Sequence, residues 1–278
     1  MPVYLRRLGR RGTLGRLLCE EVLDPLAPLF DEAREVLTME LTSTAVHFSL
    51  LAALSGAPSL EWRDLVERSR VEESTASRYI AILEDLHVVR AANPLFAPPN
   101  ARRRRYRLAD PFIRFWFRFV FPYQAELAAG LRPRDHYERN IAPFLAEHVS
   151  PTFEELCRGW TRARFPDLDA VGPWWGMARH DLRRAGVRTT EEIDVVGARG
   201  DRVIVAGECR WQRRRIGVEV LTELLEYKLP ALAQAGVDVR GARIVLFARS
   251  GFRRDLLEAA SARDDLTLVD LDTLLGDP

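Results

Sequence analysis

Two short runs of this chain carry residue types that can do chemistry together. The first is Glu192-Ile193-Asp194-Val195-Val196, and the second is Val203-Ile204-Val205-Ala206-Gly207-Glu208-Cys209-Arg210-Trp211. β-Branched residues run through both, and Gly200 with Asp201 supplies the turn between them, so each run reads as a buried strand of one hairpin. Asp194 then sits on one strand, Glu208 near the end of the other, and Arg210 two residues beyond Glu208. Two carboxylates beside a cation suit metal-assisted phosphodiester hydrolysis. The acids hold a divalent ion such as Mg2+ or Mn2+, and the cation places water or offsets charge at the phosphate. The same spacing also fits an edge hairpin with solvated charges.

The 278 residues are 47% hydrophobic and 29% charged, which is enough for two domains with separate cores. No run approaches a transmembrane span and the basic N-terminus lacks the apolar stretch of a secretory signal, so the expected location is the cytoplasm. A formal charge of +1 makes no case for a polyanion partner, so any such case rests on local clusters. Basic residues are nearly all arginine, with Lys228 the single lysine. Cys19, Cys157 and Cys209 lie far apart, without zinc-site spacing or the even number of a disulfide framework, and read as reduced thiols. His47, His87, His136, His148 and His180 also lack metal-ligand spacing.

The elements that must position these groups follow from periodicity. Residues 1–40 read as a helical docking segment broken by Pro25 and Pro28. Residues 41–110 read as three helices, Thr44 to Leu54, a second capped by Ser59 and running to Ser69, and a third from Glu72 to Leu86. A hairpin with a long tip follows, from Val88-Val89-Arg90 to Arg104-Tyr106-Leu108. Three helices and then a hairpin is the order of a winged helix-turn-helix. Its third helix offers Ser74, Thr75, Ser77 and Arg78 to a groove, and its wing offers Arg102, Arg103, Arg104, Arg105 and Arg107 to phosphates. Glu72 and Glu73 at the head of that helix stabilise its N-terminus but oppose DNA, which leaves protein contact as the competing use of the surface.

Residues 111–149 read as linking helices, the first aromatic-rich, with Phe112, Phe115, Trp116 and Phe119 at core-helix spacing rather than as a base-stacking platform. Residues 150–278 read as a sheet flanked by helices. The predicted order is a helix starting at Ser150-Pro151, a loop holding Pro173-Trp174-Trp175-Gly176, the hairpin, a helix over 218–235, a strand over 243–248, a helix over 252–262 and a last strand near 266–269. On the first helix Phe153, Leu156, Cys157, Trp160 and Arg164 share a face, with Glu154 at its border and Glu155 pointing away. Lys228 projects from near the centre of the apolar face set by Val218, Leu221, Leu224, Leu225 and Leu232.

Several motifs occur in one order along the chain: Tyr106-Arg107-Leu108 with Asp110-Pro111-Phe112, Phe115-Trp116-Phe117-Arg118-Phe119, Phe153-Glu154-Glu155, Trp174-Trp175-Gly176, Glu192-Ile193-Asp194, and Gly207-Glu208-Cys209-Arg210-Trp211. With them, the chain from about Val3 to Asp272 resembles the C-terminal portion of a family of archaeal and bacterial ATPases. In that family an AAA-type domain precedes a winged helix and a domain of unknown function similar to the PD-(D/E)XK nuclease fold. The resemblance implies an α+β chain, a winged helix-turn-helix followed by a restriction-endonuclease-like α/β domain. It places the helix acid at Glu154, the metal-binding Asp at Asp194, the Glu-x-Lys at Glu208-Cys209-Arg210, and a further ligand at the Cys209 carbonyl.

Two departures from that pattern matter. Arg210 stands where the pattern has lysine, and a guanidinium cannot serve as a base near neutral pH, although it can position and neutralise. Lys228 is the candidate to supply the missing ammonium; its alternative is a lysine reaching solvent at a helix end before Pro230. No Gly-x-x-x-x-Gly-Lys-[Ser/Thr] occurs, so no bound nucleotide and no ATP hydrolysis are expected. A P-loop ATPase acting in trans, or a second copy of the chain, would then dock on the first residues. The expected function is DNA binding with Mg2+-dependent cleavage by Glu154, Asp194, Glu208, Arg210 and Lys228. The alternative is a catalytically inactive adaptor serving a separate P-loop ATPase. A regulator using the winged helix alone would leave the acidic hairpin without a role.

Overall fold

A computed structural model describes residues 12–41, 43–98 and 103–276. The chain divides into two compact units, Met1–Ala92 with Arg103–His148, and Asn93–Arg102 with Val149–Pro278. Both helices and strands contribute to each. Among the described residues, no helix is long and apolar enough to cross a membrane.

In the first unit α1 (Leu14–Leu18, running on as Cys19–Leu23) and α2 (Glu32–Glu40) precede α3 (Thr44–Ser55). Then come β1 (Leu60–Glu61), α4 (Trp62–Ser69), α5 (Glu73–Asp85), β2 (Val89–Ala92) and β3 (Arg105–Leu108). β3 lies between β1 and β2 in an antiparallel three-stranded sheet. Ser59 does not cap α4, because Leu60 and Glu61 are taken into pairing with Tyr106 and Arg105 and the helix begins only at Trp62. On β3 the two-residue alternation buries Tyr106 and Leu108 and turns Arg105 and Arg107 to the other face. Asp110 caps α6 (Pro111–Phe115, continuing as Trp116–Val120) by accepting from the Phe112 and Ile113 amides, with Pro111 at the first position. Phe115, Trp116, Phe117 and Phe119 are buried with Leu50, Leu51, Leu54, Leu65 and Leu83 in one core. The Trp116 indole N–H, which burial would otherwise strand, donates to the Phe30 carbonyl at 2.6 Å.

The second unit is built on a five-stranded sheet in the order β4 (Ala170–Met177), β5 (Thr190–Arg199), β6 (Arg202–Arg210), β7 (Arg243–Ala248), β8 (Leu266–Asp270). β4, β5 and β6 form an antiparallel meander, and β6, β7 and β8 run parallel. Helix α7 (Leu145–Arg164) precedes the sheet, α8 (Val218–Glu223, continuing through Leu224–Lys228 and Leu229–Gln234) joins β6 to β7, and α9 (Arg254–Ser261) joins β7 to β8. One core fills the side of α8 with Ile193, Val196, Ala206, Leu224 and Leu246; the other joins Phe153 and Cys157 of α7 to Val195, Val205 and Phe247.

Three sequence expectations change here. Residues 173–176 are not a loop but part of β4, where Pro173 sits at a register irregularity that asks no ladder N–H of it, and both tryptophans are buried. Ser150-Pro151 does not start a helix; α7 begins at Leu145 and carries Pro151 inside it, held by burial of His148 before the proline and Phe153 and Cys157 after it. Leu156 and Arg164 do not join the buried face of α7 but lie exposed. Residues 93–98, in the long connection from β2 to β3, belong to the second unit, where the Leu95 amide donates to the Pro173 carbonyl at 2.9 Å and its side chain packs with Phe96 on the Trp174 core.

Gly207 marks the closest approach of β6 to β7. A Cβ there would lie 2.5 Å from the Val245 carbonyl oxygen and 3.5 Å from the Phe247 ring. Backbone cannot yield as a flexible side chain can, so Gly207→Ala is expected to cost about 2–3 kcal/mol. Urea unfolding checks this, and an unchanged midpoint would refute it.

Candidate active site

The β5–β6 ladder pairs Val195 with Gly207 as its outermost step, so Asp194 and Glu208 are the next residues outward on adjacent strands. Beyond this step β6 keeps its pairing to β7 through Glu208, Cys209 and Arg210, while β5 stays paired to β4 back to Thr190, so the two strands part. The Cys209 N–H thereby freed is satisfied by Asp194 Oδ2 at 2.8 Å. That bond fixes the aspartate side chain across the strand end.

Glu208 is 1% exposed, and Lys228 of α8, 9% exposed, places its Nζ 2.6 Å from Glu208 Oε2. The lysine therefore does not reach solvent. α8 runs on through Pro230 to Gln234, and a widened turn over Leu224–Lys228, where the Leu229 amide bonds Leu224 instead of Leu225, accommodates the proline. Pro230 leaves the Glu226 carbonyl without its helical donor, and Arg179 Nη1 occupies it at 3.2 Å.

Arg210 touches the same groups from the other side. Its Nη1 lies 3.4 Å from Asp194 Oδ2 and 3.0 Å from the Cys209 carbonyl, and its Nη2 lies 2.9 Å from Glu208 Oε2 and 3.8 Å from Glu223 Oε2. Glu154 of α7 accepts from Ser150 Oγ at 3.4 Å and lies 3.7 Å from Arg158, whose Nη1 also donates to the Asp194 backbone carbonyl at 2.9 Å. Sequence reasoning missed Arg158 and Glu223. The first was visible as an i,i+4 partner of Glu154, whereas the second depends on where α8 lies on the sheet.

The electrostatics follow from burial. Desolvation, with Asp194 nearby, pushes the Glu154 carboxyl up to about 7 against the pull of Arg158. Desolvation and Asp194 likewise raise Glu208 to about 7, with Lys228 and Arg210 offsetting only part. Burial raises Asp194 too, although the Cys209 amide and Arg210 pull it back. Between the ordinary value of 4.5 and about 7 the folded chain holds protons at Glu154 and Glu208 that the unfolded chain has released. Stability therefore falls as pH rises through that window, by on the order of 3 kcal/mol for each group. Melting temperature followed from pH 5 to 7.5 should decline in the wild type and decline about half as steeply in Glu208→Gln, where Glu154 alone titrates; a level wild-type profile would count against the raised carboxyls.

Asp194, Glu208 and the Cys209 carbonyl form a hard-oxygen donor set of the kind that holds Mg2+ or Mn2+. Buried Glu208 Oε1 has no hydrogen-bond partner among the described residues, which fits an acceptor reserved for a cation. Among the described residues, no three His, Cys, Asp or Glu side chains gather as a metal cage, so a bound ion would complete its shell with water or substrate.

Apart from Arg102, the residues expected to contact nucleic acid lie in the first unit. Glu72 turns back on α5, accepting from the Ser74 and Thr75 amides at 3.0 Å and from the Ser74 hydroxyl, which together hold its carboxyl at about 2. Ser74 is therefore not a free groove donor, and Glu73 is engaged by the Trp62 indole at 2.8 Å. Ser77 and Arg78 are exposed, with Arg78 over the Tyr79 ring at 5.0 Å, and Thr75 is half-buried. Toward and along β3, Arg103 and Arg104 are exposed, while Arg105 and Arg107 are half-buried. Arg104 pairs with Glu84 at 2.6 Å and Arg105 with Glu61 at 3.8 Å, which lowers the net charge of the patch. Arg102 lies outside the described residues.

The profile of a family described as archaeal and bacterial proteins of unknown function, DUF234, matches residues 116–221. That stretch includes Glu154, Asp194, Glu208 and Arg210 but stops short of Lys228. No curated protein matches the chain. A solved structure of Bordetella bronchiseptica BpsR, whose DNA binding is regulated by 6-hydroxynicotinic acid, is 17% identical over 42% of this chain and 90% of that one, with a TM-score of 0.25. A superposition that poor places neither fold nor activity here.

Proposed function

We propose that the chain binds DNA through a winged helix in its first unit and hydrolyses phosphodiester bonds in the presence of Mg2+ or Mn2+ at a PD-(D/E)XK-like site in its second. The observation that carries the reading is the meeting of Asp194, Glu208 and Lys228, from two strands and a helix, with Lys228 on Glu208 Oε2 and the buried Glu208 Oε1 left without a partner among the described residues. A strand between the first two helices that pairs with the second strand of the hairpin supports the winged-helix part.

Asp194, Glu208 and the Cys209 carbonyl would hold the ion. Once bound, it supplies Lewis-acid neutralisation of charge at the phosphate. Lys228, fixed on Glu208, supplies the ammonium that orients water or steadies the same charge, and Glu154 assists from α7 through water. Arg210 is a permanent cation and neutralises without exchanging protons. A second reading, a non-catalytic adaptor for a separate P-loop ATPase, is favoured by one observation: the Arg210 guanidinium already contacts all three oxygen groups. The test is cleavage of labelled single- and double-stranded DNA by purified protein with Mg2+ or Mn2+ and with chelator. Metal-dependent products support hydrolysis; salt-sensitive binding without products supports the adaptor.

A further inference from the structure

We infer that Arg210 is a displaceable plug in the cation site, and that a divalent ion enters by moving its guanidinium onto Glu223. This rests on the acid cluster being a metal site. The guanidinium lies on Asp194 Oδ2, the Cys209 carbonyl and Glu208 Oε2, so an ion held by Glu208 Oε1 together with Asp194 and that carbonyl would share donor groups with a fixed positive charge and be repelled by it. An arginine cannot leave by losing its proton, so it has to leave by moving.

The structure gives it somewhere to go. The Arg210 side chain is 26% exposed, and Glu223, more exposed at 35%, already stands 3.8 Å from Nη2. Glu223 is held in place by Arg188 at 3.0 Å, and Arg188 is itself braced over the Tyr227 ring at 4.6 Å and against buried Glu191 at 3.2 Å. Lys228 has no such route: it is buried, stays on Glu208, and is the cation that remains when the ion binds. A site filled by its own side chain resists weakly binding ions and opens only to one that repays loss of the guanidinium contacts.

The experiment is Mn2+ titration by calorimetry and by electron paramagnetic resonance on the full chain. It compares wild type, Arg210→Gln, Glu223→Gln and the double variant, with Asp194→Asn as a site control. Arg210→Gln should bind at least about tenfold more tightly than wild type. Glu223→Gln should bind more weakly than wild type, yet have no effect once Arg210 is replaced, because removal of the plug makes its landing place irrelevant. Equal affinity of wild type and Arg210→Gln, with binding lost in Asp194→Asn, overturns the plug and leaves the metal site standing. Absence of Mn2+ binding in every variant overturns the metal site itself and the plug with it.

Discussion

Asp194→Asn and Glu208→Gln are each expected to lower metal-dependent DNA cleavage by about a thousandfold or more, the loss of roughly 4 kcal/mol of transition-state stabilisation that a correctly held ion provides. Both replacements keep size and a polar oxygen. In Asp194→Asn the amide oxygen would still accept the Cys209 N–H that now goes to Asp194 Oδ2, so the strand end should survive. Glu208→Gln removes charge without opening a cavity at a position that is 1% exposed. DNA affinity, assigned to the first unit, should be unchanged in both when measured at one salt concentration. Single-turnover cleavage beside a binding isotherm separates the two effects. Retained cleavage in both variants would remove the acid pair from the chemistry.

Lys228→Met is expected to destabilise the second unit by about 3–5 kcal/mol, because it leaves a buried carboxylate with Arg210 as its one remaining cation. That corresponds to a melting decrease of roughly 10 °C. The deficit should be smaller at pH 5 than at pH 8, since Glu208 titrates at about 7 and only its ionised form misses the ammonium. Lys228→Met with Glu208→Leu should recover most of the loss, because an apolar pair of similar volume can replace a buried ion pair. Scanning calorimetry of the three proteins at both pH values decides it; Lys228→Met melting like wild type at pH 8 would show that the pair contributes nothing.

The sheet of the second unit was legible where β-branched runs and turn residues agree, as in Val203-Ile204-Val205 after Gly200-Asp201. β4 was not, because Gly172, Pro173 and Gly176 mimic a loop and only its pairing along β5, from Ala170 with Ala198 to Met177 with Thr190, makes the segment a strand. Lys228 was legible as an anomaly, a charge on an apolar face, since that pattern demands a partner even when it does not name one. Its partner was set by the crossover of α8 over β6, a tertiary relation that helical periodicity does not contain. Arg210 was read as a substituted lysine, but its simultaneous grip on Asp194, Glu208 and a carbonyl arises only where β5 and β6 part in the folded sheet. For Ser74 and Glu72 the local spacing was sufficient in principle, since an acid at the N-cap competes for the hydroxyl two residues on.

The passage of residues 93–98 into the second unit has a consequence for how the molecule is made. During synthesis this stretch leaves the ribosome before β4, whose Pro173 carbonyl and Trp174 core it joins, has been translated. The connection between β2 and β3 must therefore wait, exposed, for a later part of the chain, and neither unit can finish folding as an uninterrupted segment. A fragment beginning at residue 149 would lack Leu95 and Phe96 and carry an uncovered apolar edge, so the gene cannot be divided there into two self-sufficient products.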